Sequence, residues 1–412
     1  MQEHTNQATT KSTSERSRDR PRSMWRFTAR EITVALGLAV AAAWSTLIVV
    51  VSFRQPVLGG DFMEFYAFGT AARLGEWALQ YDWPAFHRFQ VSLIPTSDPY
   101  LYPPSYPPLV PALYTPLSLL SFPVAYAVWT ACSTGIYCGL MAIAARGSTL
   151  VSRPQVLLAG LLFPPFAAHQ ALGQSTVWPL IGFVGGWWAL TQSRPVAAGL
   201  MFSIVAIKPH LGMALAIVLL TLRLWRVVGG IVLGLALQVV ATVAICGSAA
   251  VAAYVATTLK VMRDTTLIEP IDERFTHALR MSLESIASHD VATAGWLIAS
   301  AACGWMAVRT WRHSDAWTLR VSALLLATLL ISPHVQTYDA ILLAPAALWL
   351  SCWSVSTRQH VVLLGILVLS VTFVVPAARI WGVPLTVPLM AWLLWRCQRT
   401  VKDRAVVLTG GG

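Results

Sequence analysis

Residues 195–222 read PVAAGLMFSIVAIKPHLGMALAIVLLTL. Two apolar runs, 195–207 and 209–222, meet at Lys208-Pro209-His210. Neither run reaches the ~20 apolar residues a helix needs to cross a hydrocarbon core of about 30 Å. Together they read as a helical hairpin that stops within the membrane or near its outer face, with a lysine at the turn. A charge there costs at least a few kcal/mol, so it normally marks pairing or function. An anionic head group would satisfy Lys208, and so would snorkelling to the surface.

The rest of the chain has the same character. Of its 412 residues 56% are hydrophobic and 11% charged, with a mean hydropathy of +0.62. Soluble domains carry about 25% charged residues. The deficit excludes a soluble enzyme, a disordered protein and a nucleic-acid reader. The net charge of +11 does not restore the last, because the basic residues form short clusters rather than one stripe. Eighteen tryptophans and 24 prolines suit a polytopic membrane protein. The six cysteines lie mostly in or beside apolar runs and show no CxxC spacing, so they read as small core residues.

The fold expected is an all-α polytopic membrane protein of about 12 transmembrane helices. Residues 1–30 form a basic, disordered tail, 31–398 the membrane domain and 399–412 a second tail. The first span is 32–52. Further spans are expected near 122–145, 155–171, 175–191, 195–207, 209–222, 227–247, 291–309, 315–332, 339–353, 359–375 and 383–396. The stretch Leu109–Leu120, broken by Pro111 and Pro116, is too short to cross and is taken as re-entrant or interfacial. Loops at about 53–106 and 248–290 hold eleven of the 18 acidic residues. The basic residues gather in the opposite connections. By the positive-inside bias both termini are cytoplasmic and both loops face outward, in the plasma membrane.

Five places carry polar chemistry, four of them at outer helix ends. Beside Lys208 and His210, the run Gly59-Gly60-Asp61-Phe62-Met63-Glu64-Phe65-Tyr66 puts two carboxylates three residues apart, on one face of a helix. Walled by aromatic rings, such a carboxylate loses hydration, its pKa rises and it suits a proton acceptor. Asp61 is equally placed to cap the helix. Tyr100–Pro108 contains two proline pairs, a stiff segment that shapes a cavity. Gln174, in Leu172-Gly173-Gln174-Ser175, suits either a sugar hydroxyl or a helix cap. In Ser332-Pro333-His334-Val335-Gln336-Thr337-Tyr338-Asp339, four polar side chain types converge. No GxGxxG, P-loop, HExxH or GxSxG motif is present, which argues against soluble nucleotide donors and hydrolases. Long one-sided acidic loops and the lack of a clear internal repeat argue against a transporter, the rival class.

The order of these motifs resembles glycosyltransferase family 87. It begins with Gly60-Asp61-Phe62, Phe65-Tyr66, Gly75-Glu76 and Leu79-Gln80-Tyr81-Asp82. Tyr102-Pro103-Pro104, Tyr106-Pro107-Pro108-Leu109, Pro116–Leu120 and Ala125–Trp129 follow. Gly173-Gln174, Ala198-Gly199-Leu200, Lys208-Pro209, Ser332-Pro333-His334 and Tyr338-Asp339 complete it. Ser175 departs from the asparagine that often follows Gly-Gln. The resemblance implies a GT-C type glycosyltransferase fold whose outer loops carry short helices and an extracytoplasmic site. It implies a polyprenyl-phosphate-mannose donor, as in the actinobacterial mannosyltransferases, and a glycolipid or lipoglycan acceptor. Transfer would be inverting, with α-1,2 linkages of the phosphatidylinositol mannoside or lipoglycan kind. A transferase of the same fold using polyprenyl-phosphate arabinofuranose remains an alternative. Asp61 and His334 are then the expected catalytic residues, with Asp61 as base. Glu64, Tyr66, Tyr102, Gln174, Lys208, His210 and Tyr338 are expected to bind substrate, Lys208 holding the donor phosphate. Asp61 and Glu64 are a thin ligand set, so no metal and no cofactor are expected.

Overall fold

In the computed structural model the described residues are 59–97, 106–147, 153–263, 278–353 and 382–409, with a few isolated positions besides. The expected tail 1–30, the first span 32–52, most of the span 359–375, Tyr102 and the acidic stretch 264–277 lie outside them.

Every secondary-structure element among the described residues is helical. In chain order these are α1 (Phe62–Arg73), α2 (Trp83–Leu93), α3 (Leu109–Tyr114), α4 (Phe122–Ala144), α5 (Arg153–Leu161), α6 (Pro164–Leu172), α7 (Val177–Thr191), α8 (Pro195–Phe202), α9 (Met213–Thr221) and α10 (Trp225–Arg263). Then come α11 (Leu279–Glu284), α12 (His289–His313), α13 (Trp317–Ile331), α14 (Leu343–Trp353) and α15 (Gly382–Thr409). Short 3-10 turns join several of them.

Three described segments are long and apolar enough to cross a membrane: Phe122–Gly147, Trp225–Arg263 and His289–His313. Their outer faces present Val232, Val240, Leu297, Ile298 and Trp305, all more than half exposed. A soluble protein does not leave apolar surface of that extent in water, whereas lipid accepts it. The expected count of about twelve spans is not reached among the described residues, for identifiable physical reasons. The stretch 155–171 is broken at Pro164-Pro165 into α5 and α6, because a proline removes an amide donor and clashes with the preceding turn. The hairpin 195–222 and helices α7 and α13 stop short of a bilayer's thickness. Conversely, α10 runs beyond its non-helical break at Gly247 to Arg263, into a segment expected to be loop.

α13 is the axis of the bundle. Beyond Arg320 it is apolar nearly all round, and from Val321 to Ile331 each residue is buried, Ser322 and Thr328 included. A helix apolar all round belongs inside a bundle rather than at its edge; α7, α9, α12, α14 and α15 pack against it. The first acidic loop is itself folded. Its α1 lies on α3 and the 3-10 turn that follows, burying Phe62, Phe65 and Phe68 against Tyr106, Tyr114 and Phe86.

The two ends of the bundle differ in chemistry. α7 and α13 are 15 residues each, about 22 Å at 1.5 Å per residue. At one end of them Arg146 stacks on Trp188 and Arg320 on Trp317, the Arg/Trp pairing of a membrane interface. A cleft of about 340 Å³ opens there, between Arg146, Trp187, Trp188, Gln192 and Trp317. At the other end lie Gln174 and the 332–339 segment. The hairpin fits the same frame. α8 and α10 run parallel, with Gly199 against Gly230 and Gly234 against Ser203, so α9 must return from Lys208 to the Arg223 end. Lys208 is therefore carried to the end opposite the arginines.

The α8–α10 crossing is so close that a Cβ on Gly230 would overlap the Val196 carbonyl, the small-residue contact by which membrane helices pack. Gly229, one residue away, faces open space. Gly230→Ala is therefore expected to lower the unfolding temperature in detergent by the equivalent of about 1–3 kcal/mol. Gly229→Ala should leave it unchanged or slightly raised. Equal shifts for the two would show that the crossing is not a tight contact.

Candidate active site

The site is built from four segments that meet at the polar end. Asp61 precedes α1, Gln174 to Thr176 link α6 to α7, Lys208 is the hairpin turn, and His334 to Asp339 follow α13. The approach of the first two depends on Gly173. It takes left-handed dihedrals (φ 66°, ψ 36°) at the end of α6, and a side chain there would run into Phe62. Only glycine adopts this conformation freely and leaves that space.

Lys208 is 5% exposed and Asp339 1%. The Lys208 Nζ donates to Asp339 Oδ1 at 2.8 Å, to Thr176 Oγ1 at 3.0 Å and to Gln174 Oε1 at 3.4 Å, and lies 4.4 Å from the centre of the Tyr338 ring. Thr176 also donates to Asp339 Oδ1, at 2.7 Å. Asp339 Oδ2 accepts a hydrogen bond from the Gln336 backbone N–H at 3.1 Å. The intramembrane charge thus has a partner, and neither charge is left bare.

The Gln174 amide donates to Asp61 Oδ2. Asp61 makes no side-chain hydrogen bond to the first turn of α1, so the capping alternative does not hold. Its carboxylate is half-buried. Burial pushes its pKa up to about 6, against the opposing pull of the Gln174 hydrogen bond and Lys208. Glu64 is 6% exposed. Burial and the neighbouring Asp61 charge hold its pKa well above the usual carboxylate range.

His210 and His334 meet edge to face, ring centres 5.9 Å apart. The His210 Nε2 has no hydrogen-bond partner among the described residues. The Gln336 amide lies 3.4 Å from His334 Nε2. Burial lowers the His334 pKa, and the Lys208 charge adds to this while Asp339 opposes it. The titration near pH 6.5 of an ordinary histidine is therefore displaced downward, which favours the neutral imidazole.

Asp61, Gln174, Lys208, His210, His334 and Tyr338 are therefore gathered at one end of the bundle. Glu64 is one helical turn from Asp61. Tyr66 is placed differently: its hydroxyl donates to the Leu120 carbonyl and its ring packs on Phe122. Tyr106 contacts Ser175 through its hydroxyl at 3.2 Å. Two members of the cluster, Thr176 and Asp339, were not expected as site residues. The signal for Asp339 was present, because an acidic residue beside an apolar run is the natural partner for an intramembrane lysine. Among the described residues no group of three or more His, Cys, Asp or Glu side chains forms a metal-binding set.

The ion pair has a stability consequence. Lys208→Met leaves Asp339 charged and unpaired, and is expected to destabilise the protein by about 3–5 kcal/mol. Lys208→Met combined with Asp339→Asn removes both charges and should recover much of that loss in thermal unfolding. A double variant no more stable than the single one would show that the pair does not hold the segments together.

The sequence model of glycosyltransferase family 87 matches residues 105–333, more than half of the chain, including Gln174, Lys208 and His210. No curated protein and no solved structure matches the chain. With a family match of this extent, helices suited to crossing a bilayer and a polar cluster at one end of the bundle, the chain belongs to glycosyltransferase family 87 and is a membrane glycosyltransferase.

Proposed function

We propose that the protein transfers a mannosyl residue from polyprenyl-phosphate-mannose to a glycolipid or lipoglycan acceptor, with inversion, at the extracytoplasmic face. The observation that carries the reading is a half-buried carboxylate of raised pKa joined through one amide to a buried lysine. The depth of the cluster supports a lipid-borne donor. Helices of about 22 Å beneath it are shorter than a hydrocarbon core of ~30 Å. With the arginine end at the inner surface, the site is recessed below the outer one, within reach of a headgroup attached to a chain in the bilayer.

The step is a direct displacement. The acceptor hydroxyl oxygen bonds to the anomeric carbon as its proton passes to the Asp61 carboxylate. The bond from that carbon to the phosphate oxygen breaks on the opposite face, and polyprenyl phosphate leaves with the electron pair. A β-linked donor then gives an α-linked product. Phosphate is already a good leaving group, so positioning and charge stabilisation carry the barrier rather than an acid partner. His210 and His334 supply N–H donors to the phosphate oxygens, with Lys208 the fixed positive charge behind them. Asp339 tempers that charge.

Incubation of membranes with radiolabelled polyprenyl-phosphate-mannose and a lipid extract should yield a labelled glycolipid. Label that crosses the membrane without appearing in a new lipid would favour transport instead. Asp61→Asn keeps the side chain's size and should lower turnover by about 10²–10⁴-fold in folded protein; near-normal turnover would exclude Asp61 as base. Because the base works ionised and its folded pKa is about 6, activity should be low below pH 6 and rise with pH through that value.

His334→Ala should lower turnover while leaving this acidic limb in place, since the limb belongs to the Asp61 carboxylate. His334→Gln, which keeps an N–H donor, should recover part of the loss. Wild-type turnover in both variants would remove His334 from the chemistry.

A further inference from the structure

We propose that Gln174 is a positioning residue, whose amide, pinned by the Lys208–Asp339 pair, holds the Asp61 carboxylate in place in its proton-accepting form. The inference rests on the reading of Asp61 as base, and assigns Gln174 a role other than binding sugar.

The neighbours of the amide decide which way it faces. Gln174 Oε1 lies 3.1 Å from the Ser175 backbone N–H and 3.4 Å from Lys208 Nζ. Both neighbours are donors without acceptor capacity, so the oxygen must face them. The NH2 group is then turned toward Asp61, where it donates to Oδ2. The reverse orientation would set donor against donor twice and carbonyl oxygen against carboxylate once. The partners that fix it are fixed in turn. Lys208 is held by Asp339 and Thr176, and Asp339 by Thr176 and the Gln336 backbone. A rigid line of contacts thus runs from the 3-10 turn Thr337–Leu342, across the hairpin turn and the α6–α7 link, to the start of α1.

Exposure separates Gln174 from a sugar ligand. It is 2% exposed, and both ends of its amide are engaged within the protein, whereas Asp61 keeps an open side. A donor to the charged carboxylate favours ionisation and opposes the effect of burial. The other charged groups acting on Asp61 are Lys208 from the hairpin and Asp339 from the turn after α13; Glu64, one turn along α1, and Tyr338 also face it and feel its charge. Tyr126 of α4 lies against Gly59 and Gly173 on either side of it, and Tyr106 contacts Ser175. Among these Gln174 alone donates a hydrogen bond to it.

The test is the pH–rate profile of Gln174→Met and Gln174→Glu, with donor and acceptor KM measured separately. Gln174→Met keeps the volume but removes the donor. It is expected to reduce kcat about 10²-fold, the scale of a misplaced catalytic group, with both KM values unchanged. Its acidic limb should move to higher pH by about one unit. Gln174→Glu, of nearly the same shape, sets a like charge against Asp61 and should move the limb the same way; it carries the test if the methionine variant does not fold. A raised KM with an unmoved limb would make Gln174 a substrate ligand and overturn the proposal. An unchanged profile would reduce it to packing and overturn the proposal equally. Asp61→Asn assayed alongside separates the two readings: if it stays active, the base assignment fails and this inference with it. If it is inactive while the limb stays fixed in both Gln174 variants, only the positioning role fails.

Discussion

The buried ion pair between Lys208 and Asp339 is the constraint on which the rest of the site depends. A lysine at the turn of an apolar hairpin is costly unless it is paired, and the pairing joins two chain segments 131 residues apart. Thr176 and Gln174 complete the lysine's hydrogen bonds, which brings in the α6–α7 link. Gln174 then reaches Asp61 at the start of α1. One electrostatic requirement therefore draws four separate segments to one end of the bundle.

The helices that carry the site are shorter than membrane spans because they end at it. α7 begins just after Thr176, α13 ends just before Ser332, and the hairpin turns at Lys208. Beneath them the bundle is held by α13, buried throughout from Val321 to Ile331, and by the glycine contact between α8 and α10. Around them α10 and α12 present wide apolar faces suited to lipid. The proposed transfer from a lipid-linked donor would use both features: a polar recess, and apolar walls along which the lipid chain can lie.

Much of this was legible in the sequence. The apolar runs announced a helical membrane protein, and the isolated lysine announced a buried polar site. Asp61, Gln174, Lys208 and the 332–339 segment stood out because polar groups are scarce between apolar runs. What composition and spacing did not convey was contact between distant segments. Asp339 was visible as a charge but not as the partner of Lys208, and Gln174 stood as a possible sugar ligand because its two-sided engagement arises only in the folded chain. Span lengths misled for a related reason. Hydropathy windows register apolar residues but not the backbone breaks at Pro164-Pro165 and Lys208-Pro209, nor the helix that continues past Gly247. Nor did the motif convey that the Tyr66 hydroxyl, expected at the substrate, donates to the Leu120 carbonyl.

Chemically the site is a balance of opposed effects. Burial and the neighbouring carboxylate Asp339 work against ionisation of Asp61, while Gln174 and Lys208 favour it. The outcome is a carboxylate poised near neutrality, basic enough to take a proton and still ionised at physiological pH. The most direct measurement is the titration of that carboxyl group itself, by infrared difference spectroscopy of wild-type protein against Asp61→Asn. A base of this kind should give a band that is lost in the variant and titrates with a midpoint of about 6. A midpoint near the ordinary aspartate value of about 3.9 would contradict it.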